Sequence, residues 1–64
     1  MGDLVLRSDA GGVATLTLNA PDRLNALSDG MLAALAEAFA ALEGDRTVKA
    51  VVLRGAGRAF CAGH

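Results

Sequence analysis

The stretch Lys49–His64, KAVVLRGAGRAFCAGH, guides the interpretation of the rest of the chain. Its first part, from Ala50 to Leu53, is a short and continuous apolar run that is rich in β-branched residues. Such a run is typical of a strand that is buried on both faces of a parallel sheet. Its second part contains three glycines, Gly55, Gly57 and Gly63. A buried strand that leads into a glycine-rich loop commonly brings backbone N–H groups to a ligand.

A helix is predicted before this strand, from Asp29 to Glu43. Ser28 is a favourable N-cap residue, and Asp29 places a negative charge in the first turn. Apolar side chains recur with the helical period and share one face: Met31, Leu35, Ala38, Phe39 and Leu42. Gly44 follows as a candidate for the C′ position. We expect the apolar face to pack against a sheet.

Two short strands come before the helix and are predicted to pair as a hairpin. The strands run from Leu4 to Arg7 and from Val13 to Leu18, and the composition of Ser8–Gly12 predicts the turn between them. The second strand alternates, with Val13, Thr15 and Thr17 on one face and Ala14, Leu16 and Leu18 on the other. The strand that begins at Ala50 should run parallel to it, as in a βαβ unit. This last strand has a free edge, and we expect further chain or another subunit beside it.

Length and composition limit the classes of function. With 64 residues the chain is at most one small domain, and a single cysteine excludes an internal disulfide. The net charge of −1 does not indicate a nucleic acid or an anionic membrane as partner. The apolar run Leu4–Leu6 is too short for a signal peptide, and no run approaches the roughly 20 residues of a transmembrane helix. We therefore expect no nucleic acid, no membrane and a reduced cytoplasmic setting.

The loop after the last strand has several chemical interpretations. GAGRAF does not complete the dinucleotide motif G-x-G-x-x-G, because Phe60 occupies the sixth position, and the Lys and Ser or Thr of a P-loop are also missing. Cys61 has only His64 nearby as a base, so a small packing residue is favoured over a nucleophile. His64 has no partners for a metal site. Its side chain could face a ligand, the surface or the interior.

Charged groups and backbone groups leave further alternatives open. Arg23 and Arg58 lie in predicted loops, where each could hold a phosphate or remain a solvated surface charge. The carboxylates form no recognisable acid/base pair, so no general base is assigned. Ala62 and Gly63 are small enough to let a ligand approach the main chain, whose N–H groups could donate to an oxyanion. A plain tight turn is the alternative.

Three segments, in this order, resemble the amino-terminal part of the crotonase superfamily, the enoyl-CoA hydratase/isomerase family: TLTLNAP (15–21), DRLNALS (22–28) and VVLRGAGRAFCAGH (51–64). The third is the most specific, since it is similar to the family's strand and loop of the form V-V-L-x-G-x-G-x-x-F-x-A-G. The resemblance covers Leu6–His64. It implies an α/β fold in which ββα units form a spiral. Residues 1–64 would be the amino-terminal fragment of an acyl-CoA-binding domain, with the hairpin, the helix and the parallel strand as one incomplete unit.

The resemblance also implies a chemistry. Members of the family act on acyl-CoA thioesters and assemble as homotrimers or hexamers. Coenzyme A enters as part of the substrate, and no permanently bound cofactor is implied. Two backbone N–H groups polarise the thioester carbonyl and hold the enolate, and the first would belong to His64. Ala62, with Gly63 beside it, matches a position whose main chain contacts coenzyme A. The stretch along which coenzyme A lies is matched by Arg23, Leu24 and Ala26, and Arg23 would favour its phosphates.

The chain departs from the family pattern in two ways. Ala20 stands before Pro21, where arginine is frequent in the family. More important, the chain ends before the second oxyanion N–H group and before any catalytic glutamate or aspartate, so we expect it to be inactive alone. Hydratase is the commonest activity of the family and is the expected reaction. The alternative is a non-catalytic polypeptide, either a truncated product or a small subunit that binds coenzyme A or a partner.

Overall fold

A computed structural model describes residues 3–57 and residue 60. Its elements are β1 (Val5–Ala10), β2 (Val13–Leu18), a short 3-10 helix (Pro21–Arg23), α1 (Asp29–Glu43) and β3 (Ala50–Gly55). The sheet has the order β1-β2-β3, in which β2 is antiparallel to β1 and parallel to β3. The predicted arrangement of hairpin, helix and parallel strand is therefore confirmed. Within the part of the chain that is described, no helix is long and apolar enough to cross a membrane.

The hairpin has longer pairing and a shorter turn than predicted. β1 continues to Ala10, which pairs with Val13, so the predicted turn over Ser8–Gly12 is wrong. Only Gly11 and Gly12 connect the strands, with φ angles of +57° and +83°. Two successive positive φ angles form a type I′ turn, whose twist matches that of the strands it joins. The first strand can therefore keep its pairing up to the glycine pair.

β2 supplies most of the core. Of its two predicted faces, the one formed by Ala14, Leu16 and Leu18 is buried. Beside it, α1 buries Met31 and Leu42, while its Leu35 and Ala38 are half-buried. The alternation predicted for β2 is therefore confirmed, and so is most of the predicted helix face.

Phe39 is the exception on that helix face, because 47% of it remains exposed. Each residue advances about 100° around an α-helix, so Phe39 lies well to one side of its half-buried neighbour Ala38. The prediction that Phe39 packs against the sheet is wrong for the described part of the chain.

The ends of α1 follow the sequence closely. Ser28 is the N-cap, and its Oγ accepts a hydrogen bond of 3.1 Å from the backbone N–H of Met31. The helix ends at Glu43, as predicted. Gly44 is the C-cap residue with φ −90°, so its assignment to the C′ position was one residue too far. The helix thus has a side-chain cap at its first turn and none at its last.

β3 is not buried on both faces, contrary to the prediction. Val51, Val52 and Leu53 are between 41% and 47% exposed. Within the described residues β3 pairs only with β2, and it forms an edge of the sheet. An apolar parallel strand usually has neighbours on both sides. That further chain or another subunit lies beside β3 stays a prediction.

Candidate functional site

The candidate site is built on the loop of residues 20–26, between β2 and α1. After the 3-10 helix the chain turns sharply, because Leu24 and Asn25 both have left-handed backbones, with φ angles of 53° and 56°. Left-handed backbone costs about 1–2 kcal/mol for a residue that has a Cβ, and it is unusual for leucine. Such strain persists where the surrounding structure holds it, and it concentrates at functional sites.

The side chain of Asn25 holds this loop. The residue is 0% exposed, and it is the one buried polar residue of the described chain. Its Oδ1 accepts a hydrogen bond of 2.8 Å from the backbone N–H of Ala20, and its own N–H donates to the carbonyl of Ala20 at 2.9 Å. Its Nδ2 donates to the carbonyl oxygen of Ala56 at 2.9 Å. One side chain therefore connects the 20–26 loop to the loop that follows β3.

A second contact joins the same two loops. Gly57 has a φ angle of +84°, and a Cβ atom placed on it would lie 2.6 Å from Cβ of Pro21. No side chain fits there without movement, so glycine is needed both for its backbone and for the close approach. The neighbouring Ala56 donates its N–H to the carbonyl of Leu18 at 2.8 Å. The start of the glycine-rich loop is thus held by the end of β2 and by the 20–26 loop.

The structure places part of the predicted site. Arg23, Leu24 and Ala26 share the 20–26 loop, with Arg23 exposed and the other two half-buried. The N–H of Leu24 donates to the carbonyl of Pro21 at 3.1 Å, and that of Ala26 to the carbonyl of Arg23 at 3.2 Å. The predicted residues Arg58, Cys61, Ala62, Gly63 and His64 lie outside the described residues. Their roles stay predictions.

An open depression of about 660 Å³ lies beside this loop and the first turn of α1. It is lined by Leu4, Asn19, Ala20, Asp22, Arg23, Ser28, Asp29 and Gly30. Two carboxylates therefore accompany the single guanidinium group. The charge of the depression does not favour a phosphate over solvent as the partner of Arg23, and the role of this arginine stays a prediction.

The perturbed titratable groups lie elsewhere, near the end of the sheet where β3 begins. Arg7 donates hydrogen bonds of 2.8 Å to Asp9 and to Asp45, which holds the pKa of Arg7 above its ordinary value. Hydrogen bonds from Thr47, and then from Arg7, lower the pKa of Asp45 to about 2. The side chain of Asp9 is exposed, those of Arg7 and Asp45 are partly buried, and the three pair with one another. Among the described residues, no group of three or more His, Cys, Asp or Glu side chains could hold a metal ion.

Sequence reasoning missed Asn25, the residue that joins the two loops. Two features of the sequence indicate that Asn25 could have a special role. Asparagine tolerates left-handed backbone better than most residues, and it stands in a stretch that also lacks helical or alternating periodicity. Neither signal identifies the partner, because Ala56 is 31 positions away in the chain.

Comparisons with known proteins agree on one family. The sequence model of the enoyl-CoA hydratase/isomerase family matches residues 8–64. The 1,2-epoxyphenylacetyl-CoA isomerase of Escherichia coli (strain K12) is 49% identical over 64 residues, which are 100% of this chain and 24% of that protein. The 3-hydroxyisobutyryl-CoA hydrolase 1 of Arabidopsis thaliana is 52% identical over 59 residues, or 92% of this chain and 16% of that protein.

A solved structure shows the same fold. The crystal structure of an enoyl-CoA hydratase from Mycobacterium smegmatis matches this chain with a TM-score of 0.89 and 60% sequence identity. The match covers 95% of this chain and 24% of the hydratase chain. The chain thus spans about a quarter, or less, of the length of these three relatives. The three names describe an isomerase, a hydrolase and a hydratase, and each includes a CoA thioester. The matched segment is therefore common to proteins with different named reactions.

Proposed function

This chain belongs to the enoyl-CoA hydratase/isomerase family, and from that premise we propose that residues 1–64 form the amino-terminal part of an acyl-CoA-binding domain. The complete protein would process acyl-CoA thioesters, as the names of the relatives suggest. The junction between the two loops is the observation that carries the proposal. The 20–26 loop, which matches the family's coenzyme A stretch, is hydrogen-bonded through Asn25 to Ala56, where the glycine-rich loop begins.

In this proposal the two loops serve two ends of one substrate. The main chain near Leu24 and Ala26 lies along coenzyme A, and the exposed Arg23 is available to its phosphates. The glycine-rich loop continues from Gly57 toward Ala62, Gly63 and His64. Ala62 and Gly63 are small and permit close approach of the thioester to the main chain. Coenzyme A is part of the substrate, and no permanently bound cofactor is required.

The catalytic contribution of this segment is electrostatic. The backbone N–H of His64 donates to the thioester oxygen and stabilises the negative charge that develops as the enolate forms. A donor fixed in place before the reaction stabilises the transition state without reorganising, which is why oxyanion holes are effective. The second donor and the acid/base residues lie outside residues 1–64 in this proposal. The 64-residue chain alone is therefore inactive.

Hydration of a 2-enoyl-CoA is the proposed reaction. The structure of an enoyl-CoA hydratase that is 60% identical over 95% of this chain supports it. The segment itself does not select the reaction, since an isomerase and a hydrolase share about half of its residues. We further propose that the complete protein forms a homotrimer or hexamer in the cytoplasm, where the partly exposed strand β3 becomes covered.

Two substitutions of His64 in the full-length protein test whether its backbone or its side chain acts. His64→Ala keeps the N–H group and should keep most of the turnover of crotonyl-CoA. His64→Pro removes the donor and should lower kcat about 10²–10³-fold, the usual effect of losing one oxyanion donor. Because proline can also distort the loop, the affinity for coenzyme A is measured for both variants by calorimetry.

The outcomes separate the functional classes. An inactive His64→Ala variant with wild-type affinity for coenzyme A contradicts the assignment of the backbone donor. A full-length protein that binds coenzyme A but turns over no acyl-CoA thioester supports the non-catalytic alternative. A folded full-length protein that does not bind coenzyme A contradicts the proposed function as a whole.

A further inference from the structure

We propose that Asn25 is a positioning residue that clamps the 20–26 loop to the start of the glycine-rich loop, so that both contribute to one site in a fixed relation. The inference rests on the proposed function, because it takes the two loops to hold two parts of one substrate. It assigns a task to a residue that itself need not touch the substrate.

The side chain of Asn25 uses its acceptor and its donor in opposite directions. Oδ1 accepts from the N–H of Ala20, at the first residue of its own loop, at 2.8 Å. Nδ2 donates to the carbonyl of Ala56, in the other loop, at 2.9 Å. An amide carries an acceptor and a donor on two separate atoms of one short side chain, whereas a hydroxyl has both on a single atom. An ionised aspartate would have two acceptors there, one of which would face a carbonyl oxygen.

The position is also closed to water. Asn25 is 0% exposed, and a buried hydrogen bond whose partner is removed leaves the remaining group unsatisfied. The carbonyl of Ala56 and the N–H of Ala20 would both lose their partner if the side chain were deleted. The clamp therefore acts on both loops at once, whereas a residue that only shaped its own turn would affect the 20–26 loop alone.

A backbone role is the competing explanation, because Asn25 has a φ angle of 56°. Asn25→Gly separates the two roles. Glycine adopts the left-handed backbone without strain, so it preserves a purely conformational role. It carries no amide, so it removes the clamp. Asn25→Asp is the second variant: it keeps the size and the acceptor for Ala20, and it replaces the amide nitrogen that donates to Ala56 by an oxygen. Leu42→Ala is the matched control, since it weakens the core without touching either loop.

The clamp is tested by measuring the amide hydrogen exchange rates of the two loops in the full-length protein without ligand. In Asn25→Gly we expect exchange to become about tenfold faster at Ala20, whose N–H loses its acceptor, since the loss of one hydrogen bond corresponds to roughly two- to tenfold in an equilibrium constant. Exchange should also become faster at Ala56 and Gly57, because release of the Ala56 carbonyl loosens the loop whose N–H group at Ala56 donates to Leu18. In Asn25→Asp the acceleration should be confined largely to Ala56 and Gly57. In Leu42→Ala, the exchange rates of these two loops relative to the rest of the chain should be the same as in the wild-type protein.

Binding of coenzyme A, measured by calorimetry, then reads the consequence for the site. The dissociation constant should rise about tenfold in Asn25→Gly and stay at the wild-type value in Leu42→Ala. Wild-type exchange at Ala56 in both Asn25 variants overturns the clamp, and so does wild-type affinity in a variant whose loops exchange faster. If Asn25→Gly does not fold, Asn25→Asp alone decides the matter by the same two readings. A wild-type protein that fails to bind coenzyme A contradicts the proposed function, while the exchange data still decide whether the clamp exists.

Discussion

Replacing Gly57 by alanine tests the close approach of the two loops that form the candidate site. The alanine Cβ would lie 2.6 Å from Cβ of Pro21 and 3.5 Å from its Cα. Carbon atoms are at their best separation at about 3.5–4.0 Å, so the first distance is a severe overlap and the second is an ordinary contact. The φ angle of +84° adds a second penalty, because side chains disfavour that backbone. Both effects oppose the native position of the loop.

The expected magnitude follows from these two terms. Left-handed backbone at an alanine costs about 1–2 kcal/mol, and forcing an extra carbon into a packed site costs about 1–3 kcal/mol. We therefore expect Gly57→Ala to lower the free energy of unfolding by about 2–5 kcal/mol.

Two other glycines serve as controls. Gly11 has φ +57° and no atom within 4 Å of its added Cβ, so Gly11→Ala should cost only the backbone term of about 1–2 kcal/mol. Gly44 has φ −90° and equally open surroundings, so Gly44→Ala should cost nothing measurable.

Urea denaturation of the full-length protein, at one protein concentration, gives the three free energies. A double-mutant cycle with Pro21→Gly isolates the overlap, because glycine at position 21 removes the Cβ atom that the alanine would meet. The cycle should recover at least about 1 kcal/mol of the loss. If Gly57→Ala costs no more than Gly11→Ala, or if Pro21→Gly gives no recovery, the two loops are not packed as described.

Two further predictions concern the core and the surface. Met31 is 0% exposed, so Met31→Ala should lower the free energy of unfolding, measured by urea denaturation, by about 2–5 kcal/mol. Glu37→Ala, on the exposed face of α1, should change it by less than about 0.5 kcal/mol. Equal losses would contradict the assigned helix face. Thr47→Val removes the hydroxyl that donates to Asp45 and should raise the pKa of Asp45 from about 2 toward its ordinary value of 3.8. The titration is measured by ¹³C NMR of the carboxyl carbon, and an unchanged pKa would refute the role of the Thr47 hydroxyl. Because folding lowers this pKa, the stabilisation by Asp45 is present above pH 3.8 and is lost as the pH falls toward 2.

Local periodicity accounts for what could be predicted from the sequence. The alternation from Val13 to Leu18 predicted which residues of β2 share a face, and the 3.6-residue period with Ser28 as cap predicted α1. Both patterns are complete within one element, so they do not depend on residues far away in the chain. The family resemblance rested on three such local segments, and the match of the family model confirms it.

Contacts between distant segments account for what was missed. Ser8–Ala10 has the composition of a turn, yet pairing with β2 keeps it in a strand as far as the glycine pair. The link between Asn25 and Ala56, like the approach of Gly57 to Pro21, joins residues that share no local pattern. The exposure of β3 was missed for the same reason, since an apolar run does not reveal which neighbours are present. The tertiary contacts that shape the candidate site are thus the features least visible in the sequence.

The vibrational frequency of a bound thioester carbonyl tests the central claim most directly, and it does so without assuming which reaction the protein catalyses. Butyryl-CoA, labelled with ¹³C at the carbonyl carbon, is bound to the full-length protein, and its C=O stretching band is identified by isotope-edited infrared spectroscopy. Donation from the backbone N–H of His64 should move this band to lower wavenumber in the wild-type protein and in His64→Ala, and the displacement should shrink in His64→Pro. A ligand that is bound by all three proteins with its carbonyl band unshifted would contradict the proposed oxyanion hole.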